Sequence, residues 1–304
     1  MPHFRSLDRR QFVAGAAAAV AGHFAFGSLA RAVDKPAEPR IRKALKFGMI
    51  GEGDSVLEKF KLAKACGFDG VDMDSPTPLD RDEVLKAQDA TGLVIHGAVD
   101  SVHWNKPLSH PDAAVRAEGV KALETALRDV KHWGGTTVLL VPAVVNKEVS
   151  YADAYQRSQA EIRKVLPLAA ELQVKIALEN VWNQFLLSPL EMARYIDELE
   201  SPWIGAYFDV GNIVNYGWPE QWVRILDKRI MKLDIKEFSR KRRDADGLWK
   251  GFDVEIGDGD CDWPAVMQAL RDIDFKGWGT AEVGGGKRDR LYDIAQRMDR
   301  VFAL

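Results

Sequence analysis

Four acidic residues stand at or near the ends of short apolar segments of this sequence: Glu179, Asp209, Asp234 and Glu282. A carboxylate among apolar residues costs desolvation energy unless a positive charge balances it. If the segments are neighbouring strands, the four carboxylates repel one another, and a divalent cation relieves that repulsion. Because an all-oxygen ligand set suits hard or borderline ions, we predict a site for Mg²⁺ or Mn²⁺. The alternative for each residue is a surface carboxylate that caps a helix or pairs with a Lys or Arg.

The residues beside two of these carboxylates suit a polyhydroxylated ligand. Asn180, Trp182 and Asn183 follow the first acid, and Asn212 follows the second. Amide side chains donate to and accept from hydroxyl groups, and a tryptophan stacks on the apolar face of a sugar ring. We therefore predict these four residues as contacts of a carbohydrate substrate.

Two histidines, a tryptophan and a lysine complete the predicted substrate site. His96 lies near the end of an apolar segment, and His103 and Trp104 follow it. A histidine at a strand end serves as an acid, a base or a hydroxyl donor, whereas the alternative for His96 is an imidazole hydrogen-bonded to the backbone. Residues 236–243 are strongly basic and predict a solvated loop. Within that run we expect Lys236 to reach the site, because it lies two residues beyond the third acid on the same strand face.

The elements that would position these residues alternate along the chain. Eight apolar segments, each followed by a helical segment, predict an α/β fold, a single-domain (β/α)₈ TIM barrel over residues 44–304. A doubly wound sheet is the competing fold, but the glycine turn at residues 51–53 lacks the third glycine and the acidic partner of a dinucleotide site. The predicted strands are 46–51, 70–73, 93–98, 136–141, 174–179, 203–209, 230–235 and 277–282, and the predicted helices are 55–65, 81–90, 112–133, 151–172, 188–199, 219–227, 262–272 and 287–303.

The first 32 residues differ from the rest of the chain in charge and composition. They carry a net charge of +3, although the whole chain of 304 residues has a formal net charge of −3. Arg9 and Arg10 precede an alanine-rich apolar segment with a small-x-small ending at residues 30–32. This order predicts a twin-arginine signal peptide over residues 1–32 and a leader over residues 33–43, and hence a periplasmic or exported protein that meets the twin-arginine translocase. An uncleaved N-terminal anchor helix is the alternative.

The charge and cysteine counts of the remaining chain exclude several classes of protein. Without the first 32 residues the net charge is −6, which argues against a nucleic-acid partner because phosphate binding needs a basic excess. Two cysteines are too few for a disulfide framework or a cysteine-rich zinc site. We therefore expect a small-molecule partner, and the sequence leaves the oligomeric state open.

Six short segments, taken in order, resemble the xylose isomerase-like barrel superfamily, in particular exported members of its sugar phosphate isomerase/epimerase group. The resemblance covers essentially the whole chain after the predicted signal peptide. No single segment is decisive, but their order and their strand positions are. The segments are residues 66–72 (Cys-Gly-Phe-Asp-Gly-Val-Asp), 177–180 (Ala-Leu-Glu-Asn), 208–211 (Phe-Asp-Val-Gly), 232–237 (Lys-Leu-Asp-Ile-Lys-Glu), 257–263 (Gly-Asp-Gly-Asp-Cys-Asp-Trp) and 280–282 (Thr-Ala-Glu).

The resemblance implies a metal held by a Glu, an Asp, a His and a final Glu from strands five to eight. The matching residues are Glu179, Asp209, Asp234 and Glu282, so Asp234 departs from the family pattern by replacing the histidine. Asn212 is a second departure, because many relatives have a histidine there. Both departures make the site richer in oxygen, which favours Mn²⁺ or Mg²⁺ over Zn²⁺.

These parts predict a metal-dependent sugar isomerase or epimerase. A metal that coordinates a carbonyl and an adjacent hydroxyl acidifies the C–H bond between them and stabilises the enediolate, while Glu179 and Glu282 pass the proton as base and acid. A β-eliminating lyase or hydratase of 3-keto-glycosides is the first alternative, and a non-catalytic carbohydrate-binding barrel is the second. A DNA-repair endonuclease on the same barrel is disfavoured by the acidic charge. A phosphorylated substrate is not expected, since sugar phosphates are largely cytoplasmic.

Overall fold

Eight parallel strands close into a barrel in the computed structural model, which describes residues 40–304. Each strand pairs with its neighbours in sequence order, and β8 completes the barrel against β1. The predicted TIM barrel is therefore confirmed. The strands are β1 (Ile41–Lys46), β2 (Gly70–Ser75), β3 (Val94–Asp100), β4 (Thr137–Leu140), β5 (Lys175–Glu179), β6 (Ile204–Asp209), β7 (Ile230–Ile235) and β8 (Gly277–Ala281).

Helices connect the strands of the described chain. The longest are α3 and α4, on either side of β4. Within residues 40–304 no helix has both the length and the apolar character needed to cross a membrane. The α-helices are α1 (Val56–Ala65), α2 (Arg81–Thr91), α3 (Ala113–Trp133), α4 (Tyr151–Leu172), α5 (Pro189–Asp197), α6 (Gly211–Val214), α7 (Pro219–Leu226), α8 (Arg240–Asp246), α9 (Trp263–Asp272) and α10 (Arg288–Phe302), and 3₁₀ turns occupy Phe47–Met49, Asp227–Arg229 and Leu248–Phe252.

The ends of the helices follow signals in the local sequence. The side chains of Ser55, Asp80 and Ser150 accept backbone N–H groups at the starts of α1, α2 and α4. Gly92 and Gly134 end α2 and α3 in the left-handed conformation, with φ of 65° and 78°. Because such caps are visible in the sequence, the predicted helix boundaries lie within two residues of those observed.

The first strand is the largest departure from the predicted boundaries. β1 begins at Ile41, inside the segment predicted as a leader, and the predicted strand 46–51 is mainly a 3₁₀ turn. The basic residues of β1 hid the strand, although Ala44 and Leu45 are fully buried and the guanidinium of Arg42 lies 4.1 Å from the centroid of an indole ring on β8. The signal peptide predicted over residues 1–32 lies outside the described residues and stays a prediction.

The basic run after β7 is more ordered than predicted. Residues 237–239 are buried, and α8 follows them. The hydroxyl of Ser239 accepts the backbone N–H of Arg242, and the side chain of Arg240 donates to two backbone carbonyl oxygens of the preceding loop. The prediction of a solvated loop over residues 236–243 was therefore wrong, because these arginines bind carbonyl groups of the protein itself.

The interior of the barrel differs from the layer around it. Apolar side chains fill the space between the strands and the helices. Inside the barrel a separate small cluster contains Leu139, Ala177 and Tyr207. It is joined by buried polar residues, among them His96 and Lys232. The strand alternation therefore directs both apolar and ionisable groups toward the barrel axis.

Candidate active site

The four predicted acidic ligands converge at the carboxyl ends of β5 to β8. Glu179, Asp209, Asp234 and Glu282 each offer one carboxylate oxygen, and these four oxygens lie within 4.8 Å of one another. The strand register explains part of this, since Asp209 pairs directly with Asp234 across β6 and β7. The first three residues are buried, and the side chain of Glu282 is 34% exposed. The cluster thus occupies the end of the barrel where active sites of this fold are built.

Lys236 places its ammonium group among these carboxylates. Its Nζ lies 2.9 Å from Asp209 Oδ2 and 3.0 Å from Glu282 Oε2, and it donates to Asn212 Oδ1 at 3.3 Å. Lys236 therefore reaches the site as the sequence predicted, and it joins two of the four acids.

A second lysine, at the end of β1, balances the third acid. Lys46 Nζ lies 3.0 Å and 3.1 Å from the two carboxylate oxygens of Asp234 and 3.3 Å from Asp72 Oδ2. The same ammonium lies 4.7 Å from the ring centroid of Tyr207, a cation–π contact. Asp234, the residue that departs from the family pattern, is thus paired with a lysine at the end of β1.

Burial and mutual repulsion act unequally on the four acids. Burial, reinforced by the charge of Glu282, raises the pKa of Glu179. Burial also raises the pKa of Asp234, and it raises the pKa of Asp209 to about 6 against the opposing charge of Lys236. Burial would raise the pKa of Glu282 too, but the two lysines outweigh it and hold this pKa at about 2. One glutamate therefore favours its protonated form and the other its ionised form.

Burial would lower the pKa of each lysine in the cluster, but the neighbouring carboxylates reverse that effect. Asp234 and Asp72 raise the pKa of Lys46, and Asp209 and Glu282 raise the pKa of Lys236. Both ammonium groups therefore stay charged.

The cluster retains unused ligand atoms. Asp209 Oδ2, Asp234 Oδ1 and Glu282 Oε2 are buried and accept no hydrogen bond, although each lies at ion-pair distance from a lysine. The four carboxylates outnumber the two ammonium groups, and Lys46 is shared with Asp72, so the cluster is negatively charged when all groups are ionised. The oxygens and the charge both fit a divalent cation with a preference for oxygen ligands, such as Mn²⁺ or Mg²⁺.

A cavity of about 570 Å³ opens beside the cluster. Polar groups of the cluster line one part of it, and aromatic rings line another. Its wall includes four residues predicted as substrate contacts and two aromatic residues that the sequence analysis did not single out: Trp104, Trp182, Asn212, Lys236, Trp249 and Phe252.

His103 is buried next to Trp104, with ring centroids 5.7 Å apart. Burial and the charge of Lys46 lower the pKa of His103 to about 4, so its ring is neutral at pH 7. His103 Nδ1 accepts the backbone N–H of Val141 at 3.3 Å, which assigns the proton of the neutral ring to Nε2. His103 can therefore offer one N–H donor to a ligand.

Comparison with known proteins identifies the family. The family described as xylose isomerase-like TIM barrel matches residues 60–300. This chain belongs to that family. The resemblance of the sequence to this barrel superfamily is therefore confirmed, and the predicted export stays a prediction.

Named relatives of this xylose isomerase-like barrel are sugar epimerases. The chain is 28% identical over 233 residues to the putative L-ribulose-5-phosphate 3-epimerase SgbU of Escherichia coli (strain K12), which covers 72% of this chain and 80% of the relative. It is 24% identical over 253 residues to the protein of the same name from Haemophilus influenzae, covering 79% of this chain and 87% of the relative.

Solved structures share the fold of this family member. The apo form of 3-keto-D-glucoside 4-epimerase, YcjR, from E. coli has a TM-score of 0.72 and 17% identity, covering 87% of this chain and 100% of that one. D-allulose 3-epimerase from Methylomonas sp. in complex with D-allulose has a TM-score of 0.70 and 18% identity, covering 86% and 97%.

Four of the predicted substrate contacts do not line the cavity, and one of them is His103, which lies buried beside Trp104 of the cavity wall. Asn180 brackets Asp209, because its side chain donates to the backbone carbonyl of that residue at 2.7 Å and accepts its N–H at 2.9 Å. Asn183 is buried and donates to the carbonyl of Ala143 at 2.7 Å. His96 lies inside the barrel and stacks on Trp278 with ring centroids 4.7 Å apart. The amides brace the loops around the site, and His96 is part of the barrel interior.

His96 belongs to a buried polar chain inside the barrel. Its Nδ1 lies 2.7 Å from Lys232 Nζ, which also donates to the carbonyl oxygen of His96. Its Nε2 lies 3.2 Å from the hydroxyl of Thr280, which is 2.7 Å from the hydroxyl of Tyr207. Tyr207 in turn donates to Asp72 Oδ2 at 3.1 Å. A continuous line of hydrogen bonds therefore runs from the interior to the carboxylate that Lys46 binds.

Sequence reasoning missed Lys46 and the two aromatic residues of the loop between β7 and β8. The predicted first strand placed Lys46 at its beginning, whereas the observed β1 ends there. A strand ending at Lys46 would have marked it as a residue of the barrel mouth. Trp249 and Phe252 lie in a 3₁₀ turn far from any strand in sequence, and the sequence gives no signal that this turn folds over the mouth.

Proposed function

We propose that this protein is a metal-dependent sugar epimerase or isomerase that removes and returns a proton beside a sugar carbonyl. The observation that carries the proposal is the convergence of four carboxylates and two lysines beside a cavity with aromatic walls, which Glu282 and Lys236 line. The relatives named as sugar epimerases support the same reaction class.

The metal is proposed as Mn²⁺ or Mg²⁺, held by Glu179, Asp209, Asp234 and Glu282. When bound, a divalent cation polarises the sugar carbonyl and stabilises the negative charge that develops on its oxygen. Asn212 supports this site by donating to Glu179 Oε1 at 3.5 Å. Asn212 lines the cavity and is the proposed contact of a sugar hydroxyl group, and the neutral ring of His103 supports Trp104 of the cavity wall.

The two glutamates have different proposed roles. Glu282, which lines the cavity, is the carboxylate that takes the proton from carbon. Glu179, whose pKa burial raises, is the partner that returns a proton. Because β5 and β8 are three strands apart in the closed barrel, the two carboxyl groups approach a bound sugar from different directions. Two carboxyl groups on different sides of a substrate are suited to act as base and acid.

The location of the reaction is proposed from the N-terminal segment alone. The twin-arginine pattern of residues 1–32 supports export to the periplasm or beyond, with the twin-arginine translocase as a partner during export.

Proton exchange tests the proposed function. The purified protein is incubated with Mn²⁺ and a panel of ketoses and keto-glycosides in D₂O, and carbon-bound deuterium is followed by NMR. We expect exchange with at least one sugar, and a loss of about 10³-fold in Glu179→Gln and in Glu282→Gln, as removal of an acid–base group produces.

Glu171→Gln is the matched control, because Glu171 is an exposed residue of α4 and leaves the site intact. Cleavage of a keto-glycoside would identify the lyase instead. Sugar binding without exchange across the panel would identify a non-catalytic binding barrel and refute the epimerase.

A further inference from the structure

Two exposed tryptophans from different loops line the cavity at the barrel mouth. Trp104 follows β3, and Trp249 lies in the loop between β7 and β8. The ring of Trp249 packs against Trp182, which follows β5, so the two exposed tryptophans belong to separate loops of the mouth. Both tryptophans line the cavity, yet they are 47% and 67% exposed. Large aromatic side chains left open to solvent in a cavity wall mark a binding surface.

The aromatic wall around Trp249 is built to hold its position. Trp182 lies 4.9 Å from Trp249 and 5.0 Å from Phe252 between ring centroids. The indole N–H of Trp182 donates to the backbone carbonyl of Asn212 at 2.8 Å, which ties this wall to the polar part of the site. The cavity therefore has a polar part near the carboxylates and an aromatic rim further out, and the hydrogen bond of Trp182 connects the two.

The charges around the cavity disfavour a phosphorylated ligand. Among the described residues of the wall, Lys236 is the one cation, and Asp209 and Glu282 already bind its ammonium group. Asp253 adds a further carboxylate to the wall, and its ion-pair partner Lys250, at 2.7 Å, does not line the cavity. A phosphate group needs free donors or cations, and this wall offers acids instead.

The size of the cavity leaves room above a single sugar ring. About 570 Å³ lies within the range of roughly 300–1,000 Å³ that accommodates ligands of drug size. One ring at the carboxylates would leave the rim between the two tryptophans free. The apolar face of a second sugar ring matches an indole surface.

We propose, building on the proposed function, that the substrate is an uncharged disaccharide. Its reacting ring binds at the carboxylates and its second ring lies between Trp104 and Trp249. The substitution of either tryptophan then weakens the binding of two-ring sugars and leaves the binding of one-ring sugars unchanged.

Calorimetry with the Mn²⁺-loaded protein tests this inference without requiring turnover. The ligands are maltose, cellobiose and trehalose, with glucose and glucose 6-phosphate for comparison. We expect at least one disaccharide to bind about tenfold more tightly than glucose, and Trp104→Ala and Trp249→Ala each to remove most of that difference. Trp104→Phe and Trp249→Phe keep a flat ring and should retain it, which separates lost stacking from misfolding. Glucose 6-phosphate should bind no more tightly than glucose.

Trp218→Ala is the matched control, because Trp218 is 56% exposed but lies outside the cavity wall. Equal affinity for glucose and all three disaccharides, or an equal loss for both sizes of sugar in the alanine variants, would overturn the disaccharide site. Tight binding of glucose 6-phosphate would overturn it as well. The D₂O experiment reports on proton transfer alone, so either proposal can fail while the other stands.

Discussion

Burial has opposite outcomes for the charge of the lysines at the mouth of the barrel and of the lysine in its interior. At the mouth, Lys46 and Lys236 lie against carboxylates and burial is outweighed, so both stay charged. In the interior, Lys232 makes no ion pair with any described residue, and burial lowers its pKa to about 7. Burial and the charge of Lys232 also lower the pKa of its partner His96. A buried lysine therefore keeps its charge only where a carboxylate lies at ion-pair distance from its ammonium group.

Strand β7 and the residues just after it include a lysine of each kind. Lys232, Asp234 and Lys236 are spaced by two residues along and just beyond β7, so they point to the same side. The deepest of them meets an imidazole, and the other two meet groups of opposite charge. Position along the barrel axis, and not residue type, decides whether the charge is kept. The charged mouth is the part suited to bind a cation and to move protons.

Removal of Lys46 should destabilise the metal-free protein, because it removes a positive charge from the mouth. Lys46→Met leaves Asp234 and Asp72 buried without their cation, and we expect the metal-free protein to lose about 3–5 kcal/mol in free energy of unfolding. Urea denaturation in the presence of EDTA measures this loss. Mn²⁺ should bind the variant more tightly than the wild type and restore part of the stability, because the site is more negative.

The conservative Lys46→Arg variant is the control and should stay near the wild type. A Lys46→Met protein as stable as the wild type without metal would show that Lys46 is not the counter-charge of Asp234.

Removal of Lys232 should have the opposite consequence, with a defined pH dependence. The folded-state pKa of Lys232 is about 7 against an ordinary value of 10.5. Between these pH values the unfolded chain holds a proton that the folded protein has released, so this residue makes the wild type more stable as pH rises. Lys232→Met has no ammonium group at this position, so it avoids the free-energy cost of burying that charge. Its melting temperature, minus that of the wild type, should be greatest at or below pH 7 and fall steadily toward pH 10.

Melting curves of both proteins across this range provide the measurement, with Lys175→Met on the exposed start of β5 as the control. A difference that is independent of pH would contradict the lowered pKa of Lys232.

The sequence predicted the barrel and the four acids because both depend on local patterns. Alternating segments define the strands, and strand ends define the mouth, so Glu179 and Asp209 could be located to the residue. Depth inside the barrel is not a local property, which is why His96 was expected at the mouth although it pairs with Lys232. Lys46 was missed because a shift of five residues in one predicted strand moved it from the end to the beginning.

The smallest predicted effect separates two asparagines of the same loop. Asn180 holds both backbone groups of Asp209, whereas Asn183 holds the carbonyl of Ala143. Groups that orient metal ligands typically change metal affinity by about 10–100-fold when removed. We expect Asn180→Ala to weaken Mn²⁺ binding by about tenfold, at the low end of that range, because Asn180 acts on the backbone and not on the carboxylate.

Asn183→Ala is the matched control, since it removes the same amide from a buried position three residues away. It should cost about 1–3 kcal/mol in free energy of unfolding by leaving the Ala143 carbonyl unpaired, and leave the Mn²⁺ affinity unchanged. Calorimetric titration with Mn²⁺ and urea denaturation of both variants test the pair. If both variants lose metal affinity equally, the loss comes from general disturbance of the loop. The two hydrogen bonds between Asn180 and the backbone of Asp209 then have no separate role. If only Asn180→Ala loses affinity, the metal affinity of the mouth depends on how precisely the backbone of Asp209 is held at the end of β6.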